Sequence, residues 1–106
     1  MRLAELARFT DDVAATTDCY ATLLGTEPVH ADESVAIIEH RDLTVLVHET
    51  YEPAEGELPP RDHVGFEVAD VDEAFERLVG TGLEGFRAPR RTTGGGRRIW
   101  RIRTVG

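Results

Sequence analysis

The stretch that decides the fold reads Asp62-His63-Val64-Gly65-Phe66-Glu67-Val68-Ala69-Asp70, then Val71-Asp72-Glu73-Ala74-Phe75-Glu76-Arg77-Leu78-Val79-Gly80. Apolar residues alternate with polar or small ones through the first nine positions, which predicts a strand with one apolar side. A helix should follow, with Asp70 as its N-cap, Glu73 in the capping-box position, and Gly80 and Gly82 at its end. The residues of its predicted apolar face are Val71, Ala74, Phe75, Leu78 and Val79. The strand's apolar side should pack under this helix, which leaves His63 on the opposite side.

The rest of the chain predicts one more helix and several more strands. Asp11 or Asp12 should cap the helix and Gly25 should end it. Its predicted apolar face consists of Val13, Thr16, Tyr20, Leu23 and Leu24. Alternation and turn residues predict strands over residues 2–9, 27–30, 34–40, 43–49, 85–89 and 97–105. A hairpin is expected at residues 39–42, and a turn at residues 90–96.

The two halves of the chain match each other across a linker. Residues 51–61 hold three prolines and one glycine, a composition that forms no regular element. Aligning Asp12 with Asp70 sets Glu5 against His63, an offset of 58 residues, since 70 minus 12 is 58. The same order of strand, helix and further strands follows in both halves, which indicates an internal repeat.

Charge is distributed unevenly along the chain. The 106 residues, 41% of them hydrophobic, suffice for one domain. All 20 acidic residues lie within residues 5–84, whereas residues 87–106 hold 7 of the 12 arginines and no acid; lysine is absent. The net charge of −8 argues against nucleic acid as the main partner. A high-salt cytoplasm and a GC-biased genome are both consistent with this composition.

No stretch of the sequence predicts a membrane span or a signal peptide. There is no long apolar run, and the first residues lack an apolar core. We therefore expect a cytoplasmic protein. The single cysteine, Cys19, excludes an internal disulfide and is interpreted as a small buried residue on the first helix.

Two segments carry a resemblance to a known family. "DHVGFEVADVDEAFERLVGTG" at residues 62–82, with the weaker "DDVAATTDCYATLLGTEPV" at residues 11–29, resembles the vicinal oxygen chelate superfamily of glyoxalases, bleomycin-resistance proteins and extradiol dioxygenases. The resemblance implies a single α+β domain over residues 1–106, in which two repeated βαβββ modules form a cupped sheet. Module one would span about 1–50, the linker 51–61 and module two 62–106, with the last strand of module two missing.

The same resemblance implies a metal site. The ligands would be Glu5 from the first strand, His48 or its substitute Glu49 from the end of module one, and His63 from the first strand of module two. Two imidazoles and a carboxylate suit one divalent ion, Zn, Ni, Mn or Fe. The fourth ligand of the family would come from the missing strand.

The chemistry of Glu5 is consistent with that site. Glu5 shares an alternating face with Leu3, Ala7 and Phe9, and burial of a carboxylate there requires pairing or coordination. Alternatively, Glu5 lies at a solvent edge and the histidines are ordinary surface side chains. His30 and His40 are expected to be solvated.

The arginine-rich end offers candidate ligand-binding residues. The sequence Arg97-Arg98-Ile99-Trp100-Arg101-Ile102-Arg103 alternates as a strand does, so Trp100 could line a ligand cup and Arg101 contact an anionic ligand. Core packing of Trp100 is the alternative. Gly94–Gly96 lacks the Lys-Ser/Thr of a phosphate-binding loop and opens no helix.

Two functions fit these residues. One is a metal-dependent lyase, isomerase or dioxygenase in which the ion polarises vicinal oxygens of a small substrate. The other is a metal-free module that binds a small molecule, as bleomycin-resistance proteins do. In either case we expect a homodimer that covers the sheet edge beside residues 97–105, because exposed edges are usually covered.

Overall fold

The computed structural model describes residues 2–56, 60–82, 90–94 and 97–103, the last two ranges as backbone. The strands are β1 (Arg2–Thr10), β2 (His30–Ala31), β3 (Val35–His40), β4 (Leu43–Glu49), β5 (His63–Glu67), β6 (Arg90–Gly94) and β7 (Arg97–Arg103), and the helices are α1 (Val13–Leu24) and α2 (Val71–Gly80). Helices with strands of mixed direction make this an α+β fold, as predicted. The chain forms two compact units: an N-terminal unit, Glu5–Asp62, and a C-terminal unit, Met1–Ala4 with His63–Gly106.

The sheet of the N-terminal unit has the strand order β2-β3-β4-β1. β1 runs parallel to β4, whereas β3 is antiparallel to both β2 and β4. β3 and β4 form the predicted hairpin, in which His40 pairs with Leu43 and Arg41 adopts a positive φ of 56°. Of the three strands predicted after α1, β4 has the predicted bounds and β3 begins one residue later. β2 is displaced from residues 27–30 to His30–Ala31, because Pro28 has no N–H to contribute to a strand pair.

Local signals place both ends of α1. The side chain of Asp12 accepts a hydrogen bond from the N–H of Ala15 at 3.0 Å, so Asp12 is the cap. Gly25 ends the helix with φ 66°, the left-handed conformation that glycine adopts without strain. Both features confirm the sequence prediction.

One side of the sheet packs against α1 and holds the core of the N-terminal unit. Val13 of α1 joins Ala36, Ile38, Val45 and Val47, and the last three are the largest fully buried side chains among the described residues. Full burial of a valine or isoleucine contributes about 1.5–3 kcal/mol. This packing stabilises the sheet and leaves its other side for other contacts.

The helix face that packs on this core differs in part from the prediction. Val13, Thr17, Tyr20, Ala21 and Leu24 are buried or partly buried there. Leu23, which was predicted to face the sheet, is 74% exposed, because residues 13, 17, 20, 21 and 24 share one side of the helix and 23 does not. The interpretation of Cys19 as a buried residue is wrong as well, since its position on α1 is exposed.

In the C-terminal unit, α2 follows β5 as the sequence predicts. The side chain of Asp70 accepts a hydrogen bond from the N–H of Glu73 at 3.1 Å. The buried cluster consists of Val68, Val71 and Ala74, with Leu78 packed against it. Val79, the last residue of the predicted apolar face, is 55% exposed.

The strand order of the C-terminal unit is β5-β7-β6, with both pairs antiparallel. The predicted turn at residues 90–96 is wrong in part, because Arg90–Gly94 pairs with Arg97–Arg101 as β6. The β-branched pair Thr92 and Thr93 favours this extended conformation. The predicted strand at 85–89 lies outside the described residues.

The edge assigned to a homodimer also needs correction. β7 pairs with β5 on one side and with β6 on the other, so Arg97–Arg103 is not an edge of this unit. Among the described strands of this unit, β6 is the last in the order β5-β7-β6. The homodimer itself stays a prediction.

Candidate functional site

The candidate site is the side of the N-terminal sheet that faces away from α1, called here the distal face. Val45 and Val47 pack against α1, so the intervening residues of β4, Thr44, Leu46 and His48, lie on the distal face. The register of β1 and β3 with β4 then adds Glu5, Ala7, Phe9, Val35, Ile37 and Glu39. These residues come from three adjacent strands and form one continuous surface.

Cross-strand pairing orders the distal face into three rows. Glu5, Thr44 and Glu39 form the first row; Ala7, Leu46 and Ile37 form the second; Phe9, His48 and Val35 form the third. Successive rows are two residues apart, so the face extends about 13 Å from first to third row. Two carboxylates therefore lie at one end, aliphatic side chains in the middle and aromatic rings at the other end.

Glu5 is buried at the acidic end of this face. It is 4% exposed, which makes it one of two buried polar or charged residues among those described, the other being Thr17. The alternative that Glu5 lies at a solvent edge is therefore wrong. A carboxylate at this depth strongly favours positively charged or hydrogen-donating groups around it.

Three rings form a group at the other end of the face. The ring centroid of His48 is 5.6 Å from that of Phe9 and 5.6 Å from that of Tyr51, and the centroids of Phe9 and Tyr51 are 6.2 Å apart. His48 and Tyr51 meet edge to face, an arrangement that aromatic rings prefer. Phe9 and His48 are half-buried, while Tyr51 is 44% exposed. We call Phe9, His48 and Tyr51 the aromatic group.

One backbone carbonyl group orients the ring of His48. Its Nδ1 lies 2.7 Å from the carbonyl oxygen of Glu49. A carbonyl can only accept a hydrogen bond, so this partner assigns the ring hydrogen to Nδ1. In the neutral ring Nε2 then carries the lone pair and acts as an acceptor.

Glu5 and His48 do not fit one metal ion in this arrangement. Glu5 pairs with Thr44 and His48 pairs with Phe9, so the two predicted ligands lie at opposite ends of the distal face, four residues apart along the strands. Glu49 follows His48 directly and so lies on the α1 side of the sheet. Among the residues that the structure describes, no group of three or more His, Cys, Asp or Glu could hold a metal ion. Two of the ligands implied by the family resemblance, Glu5 and His48, therefore do not converge on one ion, and the full set with His63 stays a prediction.

The remaining predicted site residues lie elsewhere in the chain. His63 is the first residue of β5 and is half-buried. Trp100 and Arg101 lie on β7, where their backbones pair with Arg91 and with Glu67 respectively. Their ligand-binding roles stay predictions. His30, expected to be solvated, is about half exposed and pairs with Asp32, with Nε2 at 2.9 Å from Oδ2.

Asp62 anchors the end of the linker on β1, next to the aromatic group. Its carboxylate accepts a hydrogen bond from the N–H of Phe9 at 2.7 Å and pairs with Nε of Arg8 at 2.8 Å. Arg8 in turn donates to the hydroxyl of Tyr20 at 2.5 Å. This hydrogen bond, followed by the charge of Asp62, raises the pKa of Arg8. The contacts hold the backbone of Phe9 in place at the edge of the distal face.

Sequence reasoning missed Phe9 and Tyr51 as candidate site residues. The alternation of β1 does place Phe9 on the face of Glu5. Tyr51 follows β4 by two residues and was assigned to the linker on composition alone. An aromatic residue two positions after a strand whose penultimate residue is histidine is the signal that could have indicated a ring cluster.

Comparison with known proteins agrees with this architecture. A sequence model of the Glyoxalase/Bleomycin resistance protein/Dioxygenase superfamily matches residues 2–104. The crystal structure of the NAD-dependent benzaldehyde dehydrogenase from Legionella pneumophila is similar with a TM-score of 0.51 and 16% sequence identity, over 83% of this chain and 79% of that chain. At that identity the likeness concerns the fold alone. Comparison with curated proteins finds no match.

Neither described helix is long and apolar enough to cross a membrane. The family match spans nearly the whole chain, including both units and the 62–82 segment that carries the resemblance. The chain therefore belongs to the Glyoxalase/Bleomycin resistance protein/Dioxygenase superfamily.

Proposed function

We propose that this protein is a small-molecule-binding module of the bleomycin-resistance kind, whose ligand lies on the distal face of the N-terminal sheet. The observation that carries this proposal is the order of the rows: buried Glu5 at one end, aliphatic side chains in the middle, and the aromatic group at the other end. Binding sites for small molecules are typically apolar surfaces with a few polar groups at defined positions. The distal face has this composition over about 13 Å, the length of a small organic molecule.

The separation of Glu5 from His48 favours this function over the metal-dependent enzyme. A single ion requires its ligand atoms within about 2.0–2.2 Å of itself, so the ligating side chains must converge. Glu5 belongs to the first row and His48 to the third. The ring of His48 packs against Phe9, and its Nδ1 is engaged by the carbonyl oxygen of Glu49. The aliphatic row between them is suited to a ligand's carbon skeleton.

A ligand screen on protein without a tag and without chelator tests the proposal. Small organic molecules, bleomycin among them, would be screened by ligand-observed NMR, and hits would be titrated calorimetrically against wild type and two variants. Leu46→Gln places a polar group in the middle row, whereas Leu23→Gln changes a 74% exposed residue on α1. We expect Leu46→Gln to weaken binding about tenfold or more, because the ligand would have to desolvate the new amide when it covers this half-buried position, and Leu23→Gln to bind as wild type.

The same protein would be titrated with Zn(II), Ni(II), Mn(II) and Fe(II). Micromolar affinity for one of these ions that is lost in His63→Ala and kept in the control His30→Ala would establish the metal site and overturn the proposal. A ligand that binds Leu46→Gln as tightly as wild type would contradict the distal face as its location.

A further inference from the structure

The aromatic group has a polar atom whose role the family match does not assign. His48 contacts Phe9 and Tyr51 through its ring, and its Nδ1 is engaged by the carbonyl oxygen of Glu49. Nε2 of the neutral ring therefore remains as an acceptor within an otherwise apolar row. Tyr51, at 44% exposed, is the most exposed of the three rings.

The negative charge of the N-terminal unit favours a cationic ligand for Nε2 of His48. Residues 5–62 carry 14 Asp and Glu against 3 Arg, a net charge of −11. Such a field attracts cations and repels anions, and it adds to the preference of aromatic faces for positive charge. A cationic ligand with an N–H group can donate a hydrogen bond to Nε2 of His48 and is also attracted by the negative charge of the unit.

Resting on the proposed function, we propose that the aromatic group binds a planar aromatic cation whose N–H group donates a hydrogen bond to Nε2 of His48. The ring of the ligand packs against Tyr51 and Phe9, and its positive charge is stabilised by the acidic unit. His48 is then a residue that determines ligand specificity, in place of the metal ligand that the family resemblance implies at this position.

Three probes of similar size separate the parts of this proposal. Benzamidinium is a planar aromatic cation with N–H donors, phenyltrimethylammonium is an aromatic cation without a donor, and benzoate is an aromatic anion. Each would be titrated into full-length ¹⁵N-labelled protein at a pH where imidazole is neutral, with binding read from the amide shifts. The ring ¹⁵N shifts of His48 report its tautomer independently.

Two variants at one position provide the matched control. His48→Phe keeps the ring and removes the acceptor, and His48→Gln keeps an acceptor oxygen and removes the ring. We expect benzamidinium to bind saturably with shifts centred on Phe9, His48 and Tyr51, about tenfold more tightly than phenyltrimethylammonium, and His48→Phe to lose that difference. His48→Gln should retain part of it. The amide spectrum of each variant verifies that it is folded.

The outcomes distinguish this inference from the proposed function. Equal affinity of His48→Phe and wild type for benzamidinium, equal binding of benzoate, or a ring nitrogen shift that places the hydrogen on Nε2 would overturn the inference while leaving a ligand on the distal face intact. Shifts confined to residues outside the aromatic group would overturn it too. Absence of any ligand for the distal face, benzamidinium included, would overturn both.

Discussion

Glu5 and His48 lie on the same face of one sheet but at opposite ends of it. Glu5 pairs with Thr44 and His48 pairs with Phe9, so four residues of the parallel strands β1 and β4 separate them. At about 3.3 Å per residue this is roughly 13 Å along the strands. Because they lie at different ends of the distal face, the two side chains contact different parts of any ligand bound there.

Because of that distance, the effects of changing Glu5 and His48 should add. We expect the change in unfolding free energy of Glu5→Gln with His48→Phe to equal the sum of the single changes within about 0.5 kcal/mol. Urea denaturation of the four proteins, with and without Zn(II), measures this. A coupling above about 1 kcal/mol, or one that appears only with the metal, would contradict the separation.

The carboxylate of Asp62 should contribute more to stability than an ordinary surface carboxylate. It binds the N–H of Phe9 at 2.7 Å and Nε of Arg8 at 2.8 Å, so Asp62→Ala removes both contacts. Since Asp62 and Arg8 are half exposed, we expect a loss of about 1–2 kcal/mol, mostly from the hydrogen bond to the backbone. Asp18→Ala, at an exposed position on α1, should change stability by less than about 0.5 kcal/mol in the same denaturation experiment. Equal effects of the two substitutions would refute this role.

Asp32 should make folding sensitive to acid. The backbone N–H of Ser34, then the side chain of His30 and the N–H of Val35, lower the pKa of Asp32 below its usual value of 3.8. A group whose pKa is lower in the folded state stabilises the fold above its unfolded pKa, and this stabilisation is lost as pH falls through the folded pKa.

The substitution Asp32→Asn tests this, because the amide oxygen still accepts both N–H bonds but does not titrate. Below pH about 4 the unfolding free energy of wild type should fall more steeply than that of Asp32→Asn. Chemical denaturation over a pH series checks the slope. Parallel slopes would mean that Asp32 does not contribute to the acid sensitivity.

Two glycines at helix ends should respond to alanine in opposite directions. Gly25 has a φ of 66°, so Gly25→Ala forces a side chain into the left-handed region and should cost about 1 kcal/mol. Gly80 ends α2 without a positive φ and has no atom within 4 Å of a built Cβ. Gly80→Ala should therefore raise stability by up to about 1 kcal/mol, since alanine has the higher helix propensity. Thermal unfolding of both variants reports the sign, and a shift in the same direction for both would contradict the assigned backbone conformations.

The sequence by itself determined the features that depend on neighbours along the chain. Asp70, and either Asp11 or Asp12, are predicted as caps because a carboxylate two or three residues before a helical N–H can satisfy it in any fold, and the structure assigns the first cap to Asp12. Gly25 and the bounds of β4 followed from equally local signals. Leu23 and Val79 were predicted to be buried but are exposed. Each lies at one side of the apolar stripe of its helix, and only tertiary packing determines which side of the stripe contacts the sheet.

Only the tertiary structure decided how the candidate site is composed. Alternation predicts which residues of β1 share a face, but the pairing of β1 with β4 joins positions about 40 residues apart, and no local signal specifies that register. The register sets Phe9 beside His48, brings Tyr51 to the same end, and leaves Glu5 beside Thr44. The family resemblance implied a carboxylate and an imidazole as ligands of one ion. The physical reason they do not meet is that strand pairing aligns backbones, and side chains four residues apart on paired strands point out of the sheet at different places.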